Sequence, residues 1–293
     1  MSGEQIIVTG ASAGIGTEIA RTLAQKGHSV IMACRNLQKA QQIRDSLIKD
    51  TGNHKIEVLP IDLASIRSIL DFFELLKNRG CRIKVLINNA GVIGKNYQIT
   101  RDGIETTVGV NYVGTYLLTR LLIPLLAEGG RVVNTTSITH RIGRIGDDFF
   151  NSDPQSYSRF SVYPDSKLAV LLFSLELSER LISRGVSAYA ADPGIVNTDM
   201  ITMDRWFDPL SDLFFRPFIK SPQKGAETAV HLAVSGEQPA GVLYAGCRPK
   251  KIASWITNHP CRKQLWEETE KLVLNRSDAA DAEKIQNYFY SNY

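Results

Sequence analysis

The sequence predicts one doubly wound α/β domain in which a seven-stranded parallel sheet is flanked by helices. Short β-rich runs alternate with helical patterns from residue 5 to about residue 245, as they do in successive βαβ units. Ile6-Ile7-Val8 and Val85-Leu86-Ile87 are apolar throughout, which indicates strands buried on both faces. The length of 293 residues and the hydrophobic content of 43% suit one large domain with a sizeable core.

The elements alternate along the chain without a repeat, a low-complexity linker or a second domain. Several helical patterns end directly before a glycine, where the left-handed conformation that closes a helix is easiest. The segment Ser277–Tyr293 is polar with scattered aromatic residues and predicts a partly ordered tail. The predicted strands are Gln5–Thr9, Ser29–Cys34, Ile56–Pro60, Val85–Asn88, Arg131–Thr135, Val186–Ala191 and Val242–Tyr244. The predicted helices are Gly16–Lys26, Leu37–Thr51, Ser65–Arg79, Gly103–Glu128, Tyr163–Arg184 and Pro222–Val234.

Charge and cysteine usage exclude several classes of function. The net charge of +4 comes from 34 basic and 30 acidic side chains spread along the chain, and no basic tract predicts nucleic-acid binding. The four cysteines form no CxxC pair and have no histidine at metal-ligand spacing, so neither a zinc site nor a disulfide framework is indicated. Reduced thiols fit a cytoplasmic protein best.

The N-terminal sequence and the most apolar helix give no sign of a membrane protein. Residues 1–5 lead straight into an apolar strand without a basic region and a long apolar stretch, so no signal peptide is predicted. The apolar run from Leu117 to Leu126 is interrupted by Arg120 and Pro124. We therefore expect no transmembrane segment.

A glycine-rich turn follows the first predicted strand. Its sequence, Gly10-Ala11-Ser12-Ala13-Gly14-Ile15-Gly16, opens a helix, and a turn of this kind lets main-chain N–H groups approach a pyrophosphate at the positive end of the helix dipole. The alternative is a tight connection without a ligand. Its place after the first strand of a βα alternation favours a Rossmann-type dinucleotide site.

The residues at the end of the second predicted strand indicate whether the protein prefers NAD(H) or NADP(H). NAD-binding folds usually place a carboxylate there against the ribose 2′-hydroxyl, whereas this chain has Cys34-Arg35-Asn36. Because a guanidinium forms charge-assisted pairs with phosphate oxygens, Arg35 favours a 2′-phosphate. NADP(H) is thus expected to be preferred, with NAD(H) possible, unless Arg35 is only a solvated loop cation.

Three stretches together carry a family resemblance that covers nearly the whole chain. With Asn88-Asn89-Ala90-Gly91 and Tyr163-Pro164-Asp165-Ser166-Lys167, the glycine-rich turn resembles the short-chain dehydrogenase/reductase family. Ala33-Cys34-Arg35-Asn36, Leu168-Ala169 and the Gly241–Cys247 stretch look most like its retinol-dehydrogenase-like branch. The resemblance implies a nicotinamide-dependent oxidoreductase that interconverts a carbonyl and an alcohol by hydride transfer.

Tyr163 and Lys167 are the candidate catalytic pair. They are four residues apart and share one face of a helix. A cation beside the phenol is expected to lower its pKa toward usefulness as a general acid or base. Tyrosine and lysine at this spacing are ordinarily only a surface pair, and the upstream motifs are what favour catalysis here.

The resemblance also implies roles for other residues. Ser137 should hydrogen-bond the substrate oxygen, although it could be only a helix N-cap, and Asn111 should hold a relay water, although it could be only a helix-kink residue. Lys167 should also bind the ribose of the nicotinamide. The implied cofactor contacts are the glycine-rich turn with Gly10, Ser12, Ala13, Gly14, Ile15 and Gly16, then Arg35, Asn36, Asp62, Leu63, Asn89, Ala90, Gly91, Tyr163, Lys167, Pro193, Gly194, Val196 and Thr198.

The chain departs from its apparent branch at one position, and from the wider family in the length of one interval. Many relatives carry histidine before the Pro-Gly pair, where this chain has Asp192, which leaves the detail of that loop open. The interval from Ser137 to Tyr163 is long. Such an insertion is common in this branch and could obstruct the helix-packed oligomer usual elsewhere in the family, so a monomer or a homodimer is expected.

The substrate side is predicted to be apolar. Residues 198–221 lie where the resemblance places a substrate lid, and they include Met200-Ile201, Trp206-Phe207, Leu213-Phe214-Phe215 and Phe218-Ile219. This composition favours a retinoid, a steroid or a long-chain or aromatic carbonyl. The same segment could instead pack on the domain or touch a membrane surface.

Two other classes of function compete with the enzyme hypothesis. The chain could be a catalytically silent sensor of nucleotides, since a fold alone does not imply activity. It could also be a peripheral membrane protein anchored by residues 200–219. The presence of Ser137, Tyr163 and Lys167 together argues for the enzyme.

Overall fold

The structure, a computed structural model, describes residues 3–196, 220–236 and 239–290, and over these ranges one sheet has eight strands. The strand order is β3-β2-β1-β4-β5-β6-β7-β8, which is a doubly wound topology with its crossover point between β1 and β4. The strands are β1 (Glu4–Thr9), β2 (Val30–Cys34), β3 (Ile56–Pro60), β4 (Arg82–Asn88), β5 (Leu126–Thr135), β6 (Ser187–Asp192), β7 (Leu243–Ala245) and β8 (Arg248–Lys250).

The predicted fold class is confirmed, and the strand count differs by one. The first seven strands pair in parallel, as predicted, whereas β8 pairs antiparallel with β7. The sequence gives no signal for this edge strand, because Arg248, Pro249 and Lys250 are all exposed and proline is confined to sheet edges.

Helices cover both faces of the sheet and bury two separate hydrophobic cores. One core lies against α1, α2 and α7, and the other lies against α3, α5 and α6. Side chains alternate between the two cores along β1, where Ile6 and Val8 face one and Ile7 faces the other. The helices are α1 (Gly14–Gln25), α2 (Leu37–Thr51), α3 (Ile66–Asn78), α4 (Thr106–Val108), α5 (Gly114–Leu122), α6 (Arg159–Leu181), α7 (Pro222–Val234), α8 (Ser254–Thr257), α9 (Arg262–Arg276) and α10 (Ala279–Tyr290).

The long helix predicted over residues 103–128 is divided into shorter pieces. A π-helical turn, Gly109–Val113, separates α4 from α5, and a 3₁₀ turn at Ile123–Leu125 leads directly into β5. Pro124 lies in that last turn, where its missing N–H cannot continue an α-helix. Gly114 is required for packing, because a Cβ there would lie 2.3 Å from the Leu63 carbonyl oxygen.

The same segment, Thr106–Leu125, is the one stretch of the described chain that is long and apolar enough to cross a membrane. Within the fold, 89% of its most apolar window is buried. Its hydrophobicity is therefore accounted for by its position in the core between the sheet, α3 and α6.

The C-terminal segment differs from the predicted polar tail. Residues Ala279–Tyr290 form α10, in which Ile285 and Phe289 are 0% and 1% exposed. The guanidinium of Arg120 lies 4.1 Å from the centre of the Phe289 ring and forms a 2.9 Å ion pair with Glu270 of α9. A helix with so few apolar positions is held by tertiary packing, which its composition does not reveal.

Candidate active site

The N-terminus of α1 is the predicted pyrophosphate site, and its N-cap residue provides no side-chain cap to the main-chain N–H groups in the described part of the chain. The N-cap residue Ala13 accepts no such bond, whereas Asn36, Ser65 and Ser221 cap α2, α3 and α7 with their side chains. Uncapped N–H groups at a helix N-terminus form an anion site together with the helix dipole. The structure therefore fits the predicted phosphate contact at the turn.

Glycine is required in this turn for two physical reasons. Gly10 and Gly14 have φ angles of +66° and +51°, a region that other residues rarely adopt. A Cβ at Gly16 would lie 2.2 Å from the Gly10 carbonyl oxygen and 2.6 Å from Asn89 Nδ2. The glycine spacing thus lets α1 start directly against the ends of β1 and β4.

Thr9 ties the glycine-rich turn to the Asn89-Ala90-Gly91 segment. Its hydroxyl oxygen accepts the main-chain N–H groups of Asn89 and Ala90, each at 3.0 Å. The Asn89 side-chain amide donates to the Thr9 carbonyl oxygen at 3.1 Å. Two predicted cofactor segments therefore meet at one edge of the sheet, and Thr9 is a positioning residue that the sequence analysis missed.

At the end of β2, this chain has Cys34 where NAD-binding folds usually have a carboxylate that binds the ribose 2′-hydroxyl. Cys34 is 2% exposed, and burial raises the pKa of its thiol, a shift that Ser12 opposes. Arg35 is exposed at the strand end, and the Asn36 side chain accepts the N–H of Lys39 at 3.0 Å. The thiol is thus inert packing beside the turn, and Arg35 is the charged group available to a ligand.

Asp62 and Leu63, the predicted adenine contacts, follow β3. The Asp62 carboxylate accepts the N–H of Ala64 at 3.0 Å, which fixes a turn at this point. Leu63 is 7% exposed and packs against Gly114. Contact with adenine stays a prediction for both residues.

Lys167 is buried at the centre of the site. Its ammonium donates to the Thr135 carbonyl oxygen at 3.0 Å and lies 5.7 Å from the centre of the Tyr163 ring. A Cβ at Gly91 would lie 3.4 Å from both Lys167 Nζ and Asn111 Oδ1, so these three predicted residues converge. Burial lowers the pKa of Lys167 to about 8, and the carboxylate of Asp192 opposes this shift.

Tyr163 lies close enough to Ser137 for the serine hydroxyl to lower the pKa of the phenol. Ser137 accepts the Thr139 N–H at 3.3 Å as the N-cap of a 3₁₀ turn, Ile138–Ile142, so the N-cap role considered for it is present, and its contact with the substrate oxygen stays a prediction. The expectation that Lys167 lowers the pKa of Tyr163 is wrong for the protein alone. Burial raises this pKa, with a further increase from Asp192 and a decrease from the Ser137 hydroxyl, and the ammonium is directed at Thr135 instead.

Asn111 lies within the π-helical turn, so the helix irregularity considered for it is present. Its side-chain amide donates to the Val92 carbonyl oxygen and to Ser166 Oγ, each at 3.0 Å, and its Oδ1 accepts the Val92 N–H at 2.7 Å. These bonds fix the chain after Gly91. A role in proton relay stays a prediction, and π-helical turns are frequent at functional sites.

The loop after β6 approaches the glycine-rich turn from the other side. Pro193 and Ile15 line one small crevice together with Thr135 and Gly225. Gly194 has a φ of +79°, and Val196 is buried and bridges to Lys220. Thr198 and most of the predicted lid, residues 197–219, lie outside the described residues, so those predictions stay open.

Two titratable residues of the site were not among the predicted contacts. Asp192, at the end of β6, is 6% exposed, and its charge raises the pKa of Tyr163, Lys167 and His140. His140 is 3% exposed, and its Nδ1 lies 2.6 Å from the Ser137 carbonyl oxygen. Because a carbonyl only accepts, Nδ1 carries the proton. Two features of the sequence could have identified these residues. His140 follows Ser137 by one helical turn, and Asp192 is a carboxylate at the end of a predicted strand.

Over residues 3–196, 220–236 and 239–290, no group of three or more His, Cys, Asp or Glu side chains is arranged to hold a metal ion. The residues present instead fit a dinucleotide. An uncapped helix N-terminus, a glycine turn that excludes a Cβ, and a buried lysine lie along one edge of the sheet.

Comparison with known proteins agrees with this site. The sequence pattern of the short chain dehydrogenase family matches residues 4–206. Retinol dehydrogenase 12 of Mus musculus is 38% identical over 275 residues, which cover 92% of this chain and 86% of the relative.

Solved structures share the fold over most of their length. An uncharacterised protein from Mycobacterium paratuberculosis superposes with a TM-score of 0.76 at 30% identity, over 92% of this chain and 93% of the other. A short chain dehydrogenase from Shigella flexneri, solved with NADP, superposes with a TM-score of 0.62 at 22% identity, over 84% and 97% of the two chains. The chain therefore belongs to the short-chain dehydrogenase/reductase family and is an NAD(P)-dependent oxidoreductase of its retinol-dehydrogenase-like branch.

Proposed function

We propose that this chain is an NADP(H)-preferring reductase and dehydrogenase of apolar carbonyl and alcohol substrates, with Tyr163 as the general acid and base. The observation that carries the proposal is the position of the buried Lys167 ammonium, which lies 5.7 Å from the centre of the Tyr163 ring and is held by the Thr135 carbonyl oxygen, two residues before Ser137. These groups lie at the carboxyl-terminal ends of the parallel strands, as does the uncapped N-terminus of α1.

The chemistry follows from what these side chains can donate. The bound cofactor supplies a hydride to the carbonyl carbon. Tyr163 supplies the proton to the oxygen, because a tyrosine phenol is protonated near neutral pH. The Ser137 hydroxyl donates a hydrogen bond to the same oxygen, and Lys167 holds the ribose of the nicotinamide. Alcohol oxidation runs through the same steps in reverse.

Preference for NADP(H) is supported by the end of β2. Cys34 is buried and provides no carboxylate, and Arg35 is exposed where a 2′-phosphate would lie. Because a hydrogen bond to a charged group contributes about 1.5–3 kcal/mol, we expect Arg35→Ala to weaken NADP(H) binding by about tenfold to a hundredfold and NAD(H) binding hardly at all. Titration of both cofactors into the parent and the variant measures this difference.

Lys39→Ala, which removes an exposed cation one helical turn away, serves as the matched control and should change neither affinity by more than a few-fold. Equal losses for the two cofactors in Arg35→Ala would contradict the assignment. So would a parent protein that already binds NAD(H) more tightly than NADP(H).

An apolar substrate is supported by the composition of residues 198–221 and by the similarity to retinol dehydrogenase 12. Since burial of one methylene contributes about 0.8 kcal/mol, we expect kcat/KM for a series of straight-chain aldehydes to rise by about twofold to fourfold with each added methylene. The oxidation of NADPH, followed by its absorbance, measures the series. A flat or falling series up to ten carbons would contradict an apolar pocket.

A further inference from the structure

We infer that Tyr112 and Thr269 are positioning residues of the active site, which hold the π-helical turn Gly109–Val113 in place and thereby keep Asn111 bonded to two segments of the site. The inference rests on the proposed function and adds to it a contribution from the C-terminal helix α9. Both residues act through Asn111 and not on the substrate itself.

Asn111 links two segments of the site from its place in the π-helical turn. Its side chain exchanges two hydrogen bonds with the main chain of Val92, which directly follows the predicted cofactor residue Gly91. Its amide also donates to Ser166 Oγ at 3.0 Å, and that hydroxyl donates to the Tyr163 carbonyl oxygen at 2.7 Å. A displacement of the π-helical turn would therefore disturb the segment after Gly91 and the catalytic turn of α6 together.

Tyr112, the next residue of the π-helical turn, is bonded to the C-terminal part of the chain. Its hydroxyl oxygen lies 2.8 Å from Thr269 Oγ1 of α9, 157 residues further along the sequence. The Thr269 hydroxyl donates its one hydrogen to the Leu265 carbonyl oxygen, so the Tyr112 phenol is the donor to Thr269. The two side chains are 1% and 0% exposed, and burial raises the pKa of Tyr112, which keeps the donor protonated. A buried hydrogen bond thus joins the π-helical turn to α9.

The helix α9 is itself fixed to α5 and α6 and can support the turn. The Trp266 ring stacks on the Phe173 ring of α6, with the ring centres 5.6 Å apart. Glu270 forms a 2.9 Å ion pair with the buried guanidinium of Arg120 on α5. The position of Thr269 is therefore set by contacts on both sides of it along α9.

A π-helical turn needs such support because it is an irregular conformation. Its hydrogen bonds span five residues where an α-helix spans four, and unfavourable backbone conformations persist only where the surrounding contacts determine them. The Tyr112 ring adds contacts with Phe149 and Phe173, at 5.7 Å and 6.4 Å between ring centres. Tyr112→Phe keeps these ring contacts and removes the bond to α9. The turn can then relax toward regular helix and carry Asn111 away from Val92.

The alternative is that Tyr112 and Thr269 only stabilise the fold, and Tyr116 provides the matched control. Tyr116 is also fully buried, lies one helical turn later on α5, and accepts a 2.8 Å hydrogen bond from Arg120 through its hydroxyl. Tyr116→Phe removes a buried tyrosine hydroxyl outside the π-helical turn. Because it takes an acceptor from a buried cation, it should lower the midpoint of urea unfolding at least as much as Tyr112→Phe does.

Amide hydrogen exchange at Val92 tests the inference without catalysis. Because one hydrogen bond contributes modestly to stability, Tyr112→Phe and Thr269→Val should each speed exchange of the Val92 N–H by about twofold to tenfold. Mass spectrometry with fragmentation of the peptide resolves this position. Thr269→Ser, which keeps the hydroxyl, and Tyr116→Phe should exchange at Val92 as the parent does. Unchanged exchange in Tyr112→Phe and Thr269→Val, or an equal acceleration in Tyr116→Phe, overturns the inference.

Turnover in the NADPH-dependent reduction of an aldehyde is the second readout. Tyr112→Phe and Thr269→Val should each lower kcat by about twofold to tenfold, and the double variant should lose no more, because both remove the same bond. Thr269→Ser and Tyr116→Phe should keep kcat near that of the parent. Additive losses, or a parent-like kcat in both single variants, overturn the positioning role. Faster exchange at Val92 in a protein without reductase activity upholds the contact while the proposed function fails.

Discussion

Replacement of Tyr163 by phenylalanine is expected to lower turnover by about a hundredfold to ten-thousandfold, the usual contribution of general acid and base catalysis. Cofactor affinity should change little, because the phenol hydroxyl lies beside Ser137 and not at the glycine-rich turn. Turnover of an aldehyde with NADPH and a cofactor titration on the same preparation measure both quantities.

The control for this variant is Tyr244→Phe. The Tyr244 hydroxyl is bonded to the Pro239 carbonyl oxygen at 3.1 Å, and its side chain is fully buried in β7. This variant also loses one hydrogen bond of a tyrosine and should keep a turnover within a few-fold of the parent. A folded Tyr163→Phe variant that does the same would remove Tyr163 from the mechanism.

The second large effect is expected for Lys167→Met, which replaces the buried ammonium with an apolar side chain of similar length. Both cofactor binding and turnover should suffer, since Lys167 is assigned the ribose hydroxyls and the charge beside Tyr163. Loss of charged hydrogen bonds to the ribose should weaken cofactor binding by about tenfold to a hundredfold. The loss in kcat/KM should be larger still, because it combines the two effects.

Lys224→Met is the matched control, because the side chain of Lys224 is 61% exposed on α7 and, among the described residues, forms an ion pair with Glu227 at 3.0 Å. This variant should leave both the cofactor affinity and kcat/KM unchanged. If Lys167→Met lowered turnover but bound both cofactors as the parent does, its assignment to the ribose would be wrong.

The fold was predictable where apolar periodicity decides the structure. Ile6-Ile7-Val8 and Val85-Leu86-Ile87 lie in central strands with both faces buried, as the pattern indicated. The pattern fails where tertiary contacts decide. β8 is a short polar edge strand, and α10 is held by the contacts of Ile285 and Phe289 although most of its positions are polar.

The site was predictable at the level of motifs and less so in its electrostatics. Spacing placed Tyr163 and Lys167 on one helix, and the family resemblance assigned Gly91 and Asn111 to the same site. It could not give the direction of the Lys167 ammonium, which is set by the Thr135 carbonyl oxygen. Nor could it give the balance of burial against charge that raises the pKa of Tyr163. Both depend on three-dimensional neighbours from β5 and β6.

The measurement that most directly tests the central claim is transfer of deuterium from reduced cofactor to product. The parent protein is mixed with an apolar aldehyde and NADPH that carries deuterium at the transferable position, and the alcohol is analysed by mass spectrometry. The account predicts one deuterium on the carbinol carbon for each cofactor oxidised, with strongly reduced formation of labelled alcohol by Tyr163→Phe. Formation of unlabelled alcohol, or no alcohol with any apolar aldehyde or ketone under conditions in which the protein binds NADPH, would contradict it.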